Sequence, residues 1–249
     1  MSHSFPQIHK RLGWLPPAQT VRIVLALLLA AVVLVWWQAW QSLNPRLTIV
    51  FLDVGQGDSI IIHSPTGRSL LIDGGGRSGQ SSDRGEMGRW VVIPALYSQG
   101  IRRIDAVIAT HPHDDHIGGL PEVIDEMPVG MILDSGQFYP TSTYERFAAT
   151  AKRRNVPTIQ ARAGQMFNLG AGVHAEVLHP DQPLLVGTEA DLNNNSIVIR
   201  LTHGHISILF TGDLQEEGEE VLLIDHPTIV STALKVAHHG SLDSTSERF

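Results

Sequence analysis

Seven residues, Thr110-His111-Pro112-His113-Asp114-Asp115-His116, limit what this chain can fold into more than any other stretch. His111, His113, Asp115 and His116 fall at positions i, i+2, i+4 and i+5. Imidazole nitrogen and carboxylate oxygen are natural ligands of zinc and similar divalent ions. The run Ile104-Asp105-Ala106-Val107-Ile108-Ala109 before them is apolar and rich in β-branched residues, and it reads as a buried strand. Pro112 and the pair Gly118-Gly119 then put the ligands on a loop at the strand end. A strand tip is rigid enough to aim several ligands at one point. A polar turn that happens to be rich in histidine is the bland alternative. A second pair, His238-His239, recurs far downstream after another apolar run and weighs against it.

The other strong constraint lies near the N-terminus. Residues 23–37 are continuously apolar, and Ala39 and Trp40 extend the run past one Gln. A spanning helix needs roughly 20 apolar residues, within a range of about 17 to 25. Trp36, Trp37 and Trp40 gather at the C-terminal end, where an interfacial aromatic belt would lie. Lys10, Arg11 and Arg22 precede the run and only Arg46 follows closely. The positive-inside rule therefore expects a cytoplasmic tail over residues 1–20, a single-pass anchor over 21–40, a link over 41–46 and the rest outside. A cleaved signal peptide and a buried core helix are the rival readings, and no small-x-small cleavage site follows the run cleanly.

Residues 47–249 are long enough for one large domain, and hydrophobic content is 43%. The chain has no Cys, so disulfide staples and thiolate metal ligands are both excluded. A net charge of −7 gives no global pull toward nucleic acid, so any polyanion would have to be held locally. The domain opens with alternating, β-rich segments separated by Gly and Pro turns, which read as a meander over residues 47–72. Helices are expected over 90–100, 120–127, 142–155 and 215–223. Further strands are expected over 129–133, 158–159, 173–178, 197–202, 206–210 and 233–237. Strands first, then strands alternating with helices, give an α/β layered fold. Arg77, Arg84 and Arg89 stand in a Ser/Gly-rich loop; a solvated loop and a phosphate clamp are both open for them.

Several stretches together carry a family resemblance. They are Phe51-Leu52-Asp53-Val54-Gly55-Gln56-Gly57-Asp58-Ser59, Leu70-Leu71-Ile72-Asp73-Gly74-Gly75, Asn193-Asn194-Asn195-Ser196, Thr211-Gly212-Asp213 and His238-His239-Gly240-Ser241, besides the first histidine motif. In this order they resemble the metallo-β-lactamase superfamily, and within it the hydrolase domain of the ComEC-type DNA-internalisation competence proteins. The resemblance runs from about residue 47 to the end. It implies an αββα sandwich and two divalent ions, Zn or Mn. It implies His111 and His113 on the first ion, Asp115 and His116 on the second, Asp213 bridging and His238 last on the second. His179, before Pro180, is the candidate for a further histidine on the first ion, with a surface histidine as the alternative. Asp73 would support the metal loop through hydrogen bonds. Asp58 and Asn195 would face the site or the substrate, although turn chemistry explains each as well. His239 would orient its loop.

A divalent ion brings the pKa of a bound water to near 7, and two ions about 3.5–4 Å apart also neutralise charge on a phosphoryl or acyl oxygen. The leading expectation is thus a membrane-anchored phosphodiesterase or nuclease, with Asp115 and Asp213 in the catalytic set. DNA or another phosphodiester would be the substrate, and a separate channel protein a partner, since one spanning helix cannot form a DNA channel. Two alternatives stay open. One is an extracellular esterase acting on a cell-envelope phosphodiester. The other is a non-catalytic or truncated metal-binding module: the chain stops at Phe249, where relatives of this kind continue, so the sandwich is expected to lack its last elements.

Overall fold

The computed structural model describes residues 17–43, 45–76 and 87–249. It divides into two compact units, Met1–Pro45 and Arg46–Phe249. The first contains helix α1, Pro17–Leu43, of 27 residues. At about 1.5 Å per residue it is roughly 40 Å long, enough to cross a hydrocarbon layer of about 30 Å. Its segment Ala18–Trp40 has a mean hydropathy of 2.4, and none of the window is buried within the chain. A signal sequence would meet the same criteria of length and composition. The helix begins before residue 21 and continues through residues 41–43, so the expected link does not start at 41. The rest of the expected tail, residues 1–16, lies outside the described residues, as do Arg77 and Arg84.

The second unit is built on two sheets. In the first, β1 (Thr48–Phe51), β2 (Ile60–His63) and β3 (Ser69–Ile72) form the expected antiparallel meander. β4 (Ile104–Ala109), β5 (Val129–Asp134) and β6 (Thr158–Gln160) then add in parallel beside β3. The second sheet runs β11-β10-β9-β8-β7, with β7 (Met166–Gly170), β8 (Val173–His179), β9 (Val198–His203) and β10 (Ile206–Phe210) antiparallel, and β11 (Ala233–Lys235) parallel to β10.

The reason for the layering is visible in β2. Successive side chains of a strand point to opposite faces, and both faces of this sheet are covered. Ile61 joins a cluster with Leu71, Val107 and Ile132. That cluster packs under α2 (Ile93–Ser98), α4 (Leu120–Glu126) and α5 (Ser142–Arg153), which contribute Leu96, Val123 and Phe147. Ile60 and Ile62 turn the other way, into a cluster shared with Val177, Ile199 and Phe210 of the second sheet. On that sheet's outer face, Leu178, Val198 and Leu209 pack with Leu214 and with Leu222 of α7 (Glu216–Asp225). The order is helices, sheet, sheet, helix: the αββα arrangement expected.

Four local differences bear on the site. The segment after β4 is not a plain loop: Asp114–Ile117 forms a helical turn, α3, with both aspartates at its N-terminus. Asp191–Asn194 forms a short helix, α6, in a stretch for which no helix was expected. β11 ends at Lys235, so His238 and His239 sit in a 3₁₀ turn, Ala237–Gly240, rather than at a strand end. β7 escaped sequence reading because only Phe167 and Leu169 turn inward, Met166 is apolar on the outward face, and Gly170 ends the strand after five residues.

Candidate metal centre

Sheet register brings the motifs together. β3 and β4 pair with Ile72 opposite Ile108, so the residues that follow them, Asp73 and Thr110, emerge side by side. Asp73 is fully buried. Its Oδ1 accepts from the Thr110 N–H at 2.8 Å, and its Oδ2 accepts from the Thr110 hydroxyl at 2.7 Å. Asp73 Oδ2 also lies 2.8 Å from His116 Nδ1. A carboxylate there holds a proton on Nδ1 and turns Nε2 toward the site. His116 Nε2 is indeed buried without a hydrogen-bond partner, and so is Asp213 Oδ1.

Glycine makes room for this packing. A Cβ on Gly57, whose φ is +111°, would lie 2.1 Å from the Asp115 carbonyl oxygen. One on Gly76 would lie 2.0 Å from the Asp114 carbonyl oxygen. The first turn of α3 is therefore clasped between the β1–β2 loop and the segment after β3.

Asp213, just after β10, is the hub. Its Oδ2 lies 3.1 Å from His116 Nε2, 3.4 Å from His239 Nε2, 3.8 Å from His111 Nε2 and 3.9 Å from His238 Nε2. Around it, His111 Nε2 meets His113 Nδ1 at 3.0 Å, and His239 Nε2 lies 3.7 Å from Asp115 Oδ2. Among the described residues, His111, His116 and Asp213 form one group whose ligand atoms lie within 4.8 Å of one another, and Asp115, His116 and His239 form another. Asp58 joins two more, with Asp73 and His116 and with Asp213 and His239.

The charges fit cation binding. Burial holds His111 well below its ordinary pKa, and burial also lowers His113, so both offer neutral nitrogen. Burial would lower His116 too, but the carboxylates of Asp73 and Asp213 outweigh it and hold His116 well above its ordinary value. His239 is raised to about 9 by the carboxylates of Asp115 and Asp213, 3.7 and 3.4 Å from its Nε2. Burial pushes Asp213 up, yet the imidazoles of His116 and His239 beside it keep it far below the ordinary carboxylate range. Buried, unpartnered donor atoms of the right chemistry, converging from two sheets, fit divalent ions.

The sequence candidates divide as follows. His111, His113, Asp115, His116, Asp213 and His238 are brought together, and Asp58, Asp73 and His239 join them. His179 is not part of the cluster: its Nε2 bonds the Asn194 carbonyl oxygen at 2.8 Å, bracing the end of β8 against α6. Asn195 is also turned away. Its Nδ2 donates to the carbonyls of Leu185 and Asp191 at 2.9 and 2.8 Å, and its Oδ1 accepts from the Leu185 N–H. Arg89 pairs with Glu126 at 2.8 Å instead of reaching the site. Lys235, at the end of β11, forms an ion pair with Asp58 and donates to the Gly212 carbonyl at 3.1 Å. A lone lysine inside an otherwise apolar run, residues 233–237, was the available signal. His238 Nδ1 has its own carboxylate partner, Asp243, at 3.1 Å. A cleft of about 290 Å³ opens onto the centre, lined by Gln56, His113, Asp115, Tyr139, Asn193 and Asp213 among others.

Residues 52–249 match the metallo-β-lactamase superfamily. The chain belongs to that superfamily. Within it, the chain is 33% identical to ComE operon protein 3 of Bacillus subtilis (strain 168), covering 84% of this chain and 27% of that protein. It is 31% identical to Recombination protein 2 of Haemophilus influenzae, covering 83% and 23%, and 30% identical to Competence protein ComA of Neisseria gonorrhoeae, covering 79% and 24%. The chain thus spans about a quarter of the length of these metallo-β-lactamase superfamily relatives.

Proposed function

We propose that this chain is a membrane-anchored, binuclear metal-dependent phosphodiesterase whose substrate is DNA or a related phosphodiester. The observation that carries it is Asp213, one carboxylate oxygen of which has imidazole nitrogens of His111, His116, His238 and His239 at 3.1 to 3.9 Å. A carboxylate so surrounded supports the reading of a ligand shared between two ions. His111 and His113 would hold one, Asp115 and His116 the other, with His238 or His239 completing it. Bound there, Zn or Mn supplies Lewis acidity, lowering the pKa of a water nucleophile and neutralising charge on phosphoryl oxygen.

The chain's own residues prepare the site for this. Asp73 fixes the His116 tautomer, and Thr110 in turn holds both oxygens of Asp73. The donor set is imidazole and carboxylate with no thiolate, which suits hard cations and oxygen-rich substrates. The relatives named for competence and recombination support nucleic acid over a β-lactam. With a net charge of −7, the protein would have to hold a polyanion through the ions themselves. Helix α1 would serve as the anchor, with the Lys and Arg residues before it on the cytoplasmic side.

The test is metal content and hydrolysis of bis(p-nitrophenyl) phosphate by the full chain in detergent, with Asp213→Ala as control. Two metals per chain and turnover that disappears in Asp213→Ala are expected. A wild-type protein that is folded and metal-loaded but leaves phosphodiesters intact would overturn the assignment.

A further inference from the structure

The two ends of the parallel strands in the first sheet carry opposite chemistry. Asp73 and the first histidine motif follow the C-terminal ends of β3 and β4. At the N-terminal ends stand Arg68 before β3, Arg102 and Arg103 before β4, and Lys152, Arg153 and Arg154 where α5 closes before β6, all exposed. Register levels the entries: Leu70 lies opposite Ala106, and Ile104 opposite Val129. The cations form one surface. A Cβ on Gly130 would lie 3.5 Å from an Arg103 guanidinium nitrogen, and a groove of about 300 Å³ lined by Pro128 and Val129 reaches Arg153 and Arg154. The Arg102 guanidinium stands 4.7 Å over the ring of Tyr97, which is 41% exposed.

Carboxylates offset little of this charge. Asp105 accepts from the Ser69 N–H at 2.8 Å, Asp125 faces Arg153 at 3.2 Å, and Glu126 pairs with Arg89. Among the described residues, Arg68, Arg102, Arg103 and Lys152 have no carboxylate partner. A chain of net charge −7 thus gathers cations at the end that its metal centre does not use. The chain also enters the domain here. Thr48 pairs with His63, and His63 with Ser69, so β1 starts level with β3. Residues 44–47 alone separate Thr48 from Leu43, the last residue of α1. Such a link spans at most about 18 Å, whereas β4 puts about 20 Å between this end and the metal centre.

We propose that this basic end rests on an anionic phospholipid surface and that the metal centre is turned away from it, an inference that rests on the reading of α1 as the anchor. A negative surface potential acts within about a screening length, so the face nearest the tether is the one that meets it. Arginine, lysine and tyrosine lay apolar stems against a headgroup layer and keep their polar tips in water. A phosphodiester held in the cleft would lie at the opposite end of the strands, which favours lipid over nucleic acid as the partner of these cations.

The chain lacks Cys, so a single introduced thiol carries a donor dye at one known place. Ser98→Cys marks the basic end, at the close of α2. Val186→Cys marks the cleft end, next to Leu185 and its bond with Asn195. Each full chain is reconstituted into vesicles with an acceptor dye on the headgroups. In equal parts of phosphatidylglycerol and phosphatidylcholine, energy transfer from position 98 should exceed that from position 186. It should fall at least about twofold in phosphatidylcholine alone, or in 1 M salt, where the screening length is about 3 Å. The combined substitutions Arg102→Gln, Arg103→Gln, Arg153→Gln and Arg154→Gln should lower it equally at an unchanged thermal midpoint; should that variant not fold, the lipid and salt series decides. Equal transfer from position 98 in both lipids, or greater transfer from position 186, would overturn the inference. A signal at position 98 that answers to a single-stranded oligonucleotide and not to anionic lipid would also overturn it and give the face to nucleic acid. Alkaline carbonate separates the contact from the anchor. Protein that resists extraction yet shows equal transfer in both lipids keeps the anchor and loses the contact. Protein that is extracted, yet shows salt-sensitive transfer in anionic vesicles, does the reverse.

Discussion

Replacing Asp73 by Asn changes one atom and should disable His116 as a ligand. In the native arrangement the carboxylate accepts three bonds, from the Thr110 N–H, the Thr110 hydroxyl and His116 Nδ1, at 2.7 to 2.8 Å. Asparagine's oxygen can keep the Thr110 N–H. Its NH2 then occupies the Oδ2 position, where it can only donate. His116 must present a lone pair on Nδ1 and carry its proton on Nε2, the atom that faces Asp213 at 3.1 Å. A protonated Nε2 cannot ligate. A hydrogen bond to a charged group contributes about 1.5–3 kcal/mol, so a loss of about 2 kcal/mol is expected. For a domain of this size that is a fall in thermal midpoint of about 4–8 °C. Metal affinity should fall roughly 10- to 100-fold, as it does when outer partners of ligating histidines are removed. Competition with a chromophoric chelator measures the affinity, and thermal scans with and without zinc measure the stability. The reasoning is refuted if Asp73→Asn binds zinc as tightly as wild type, or if the midpoint falls while zinc affinity stays the same.

The remaining expectations concern the supports of the centre. Gly57→Ala puts a methyl group against the Asp115 carbonyl and forces a residue with φ +111° to carry a Cβ. Zinc binding should be lost, and a chelator titration that matches wild type would contradict this. Lys235→Met removes the ion-pair partner of Asp58, in a pair whose side chains are 11% and 12% exposed, and leaves it only the more distant His239 at 3.8 Å. Breaking a buried pair from one side costs about 3–5 kcal/mol, so thermal scans should show a large fall. Glu219, fully buried on α7, accepts from the backbone N–H groups of Thr245 and Ser246. Glu219→Gln removes one acceptor and should cost about 1–3 kcal/mol in urea unfolding. In the metal-free protein, His239 is raised from its ordinary 6.5 to about 9. Its contribution to stability is therefore complete below about pH 6.5 and disappears as pH rises through about 9. Thermal midpoints recorded across that window should fall less steeply in His239→Gln than in wild type, the remaining decline coming from His116, which is raised as well.

Sequence reading found the framework because the framework is periodic. Ile60, Ile61 and Ile62 are apolar on both faces, and so they declare a strand buried on both sides. The first histidine motif, Asp73 and Asp213 were legible for a related reason: each follows directly on such a strand, and strand ends converge. What sequence could not do was separate identical residues placed next to one another. Asn193, Asn194 and Asn195 differ only in how α6 rotates them, and the choice of Asn195 was overturned by its bonds to Leu185 and Asp191. His179 had the right strand-end position but points back at Asn194. His238 and His239 were both read, but their roles depend on a turn that takes each through a left-handed conformation, and no local pattern announces that. Lys235 was visible only as an anomaly because its partner, Asp58, lies far away in sequence.

That turn has a consequence for anyone who evolves this protein. His238, His239 and Gly240 stand at φ of 46°, 53° and 81° in succession. Glycine takes this geometry freely, whereas the two histidines carry a backbone cost of order 1 kcal/mol or more each. A library sorted for heat resistance alone should therefore drift toward glycine or asparagine at 238 and 239. The enriched clones would outlast the parent on heating and hold metal less well. Sequencing such a population would mark, from survival data alone, where this chain keeps residues that its backbone would rather exchange.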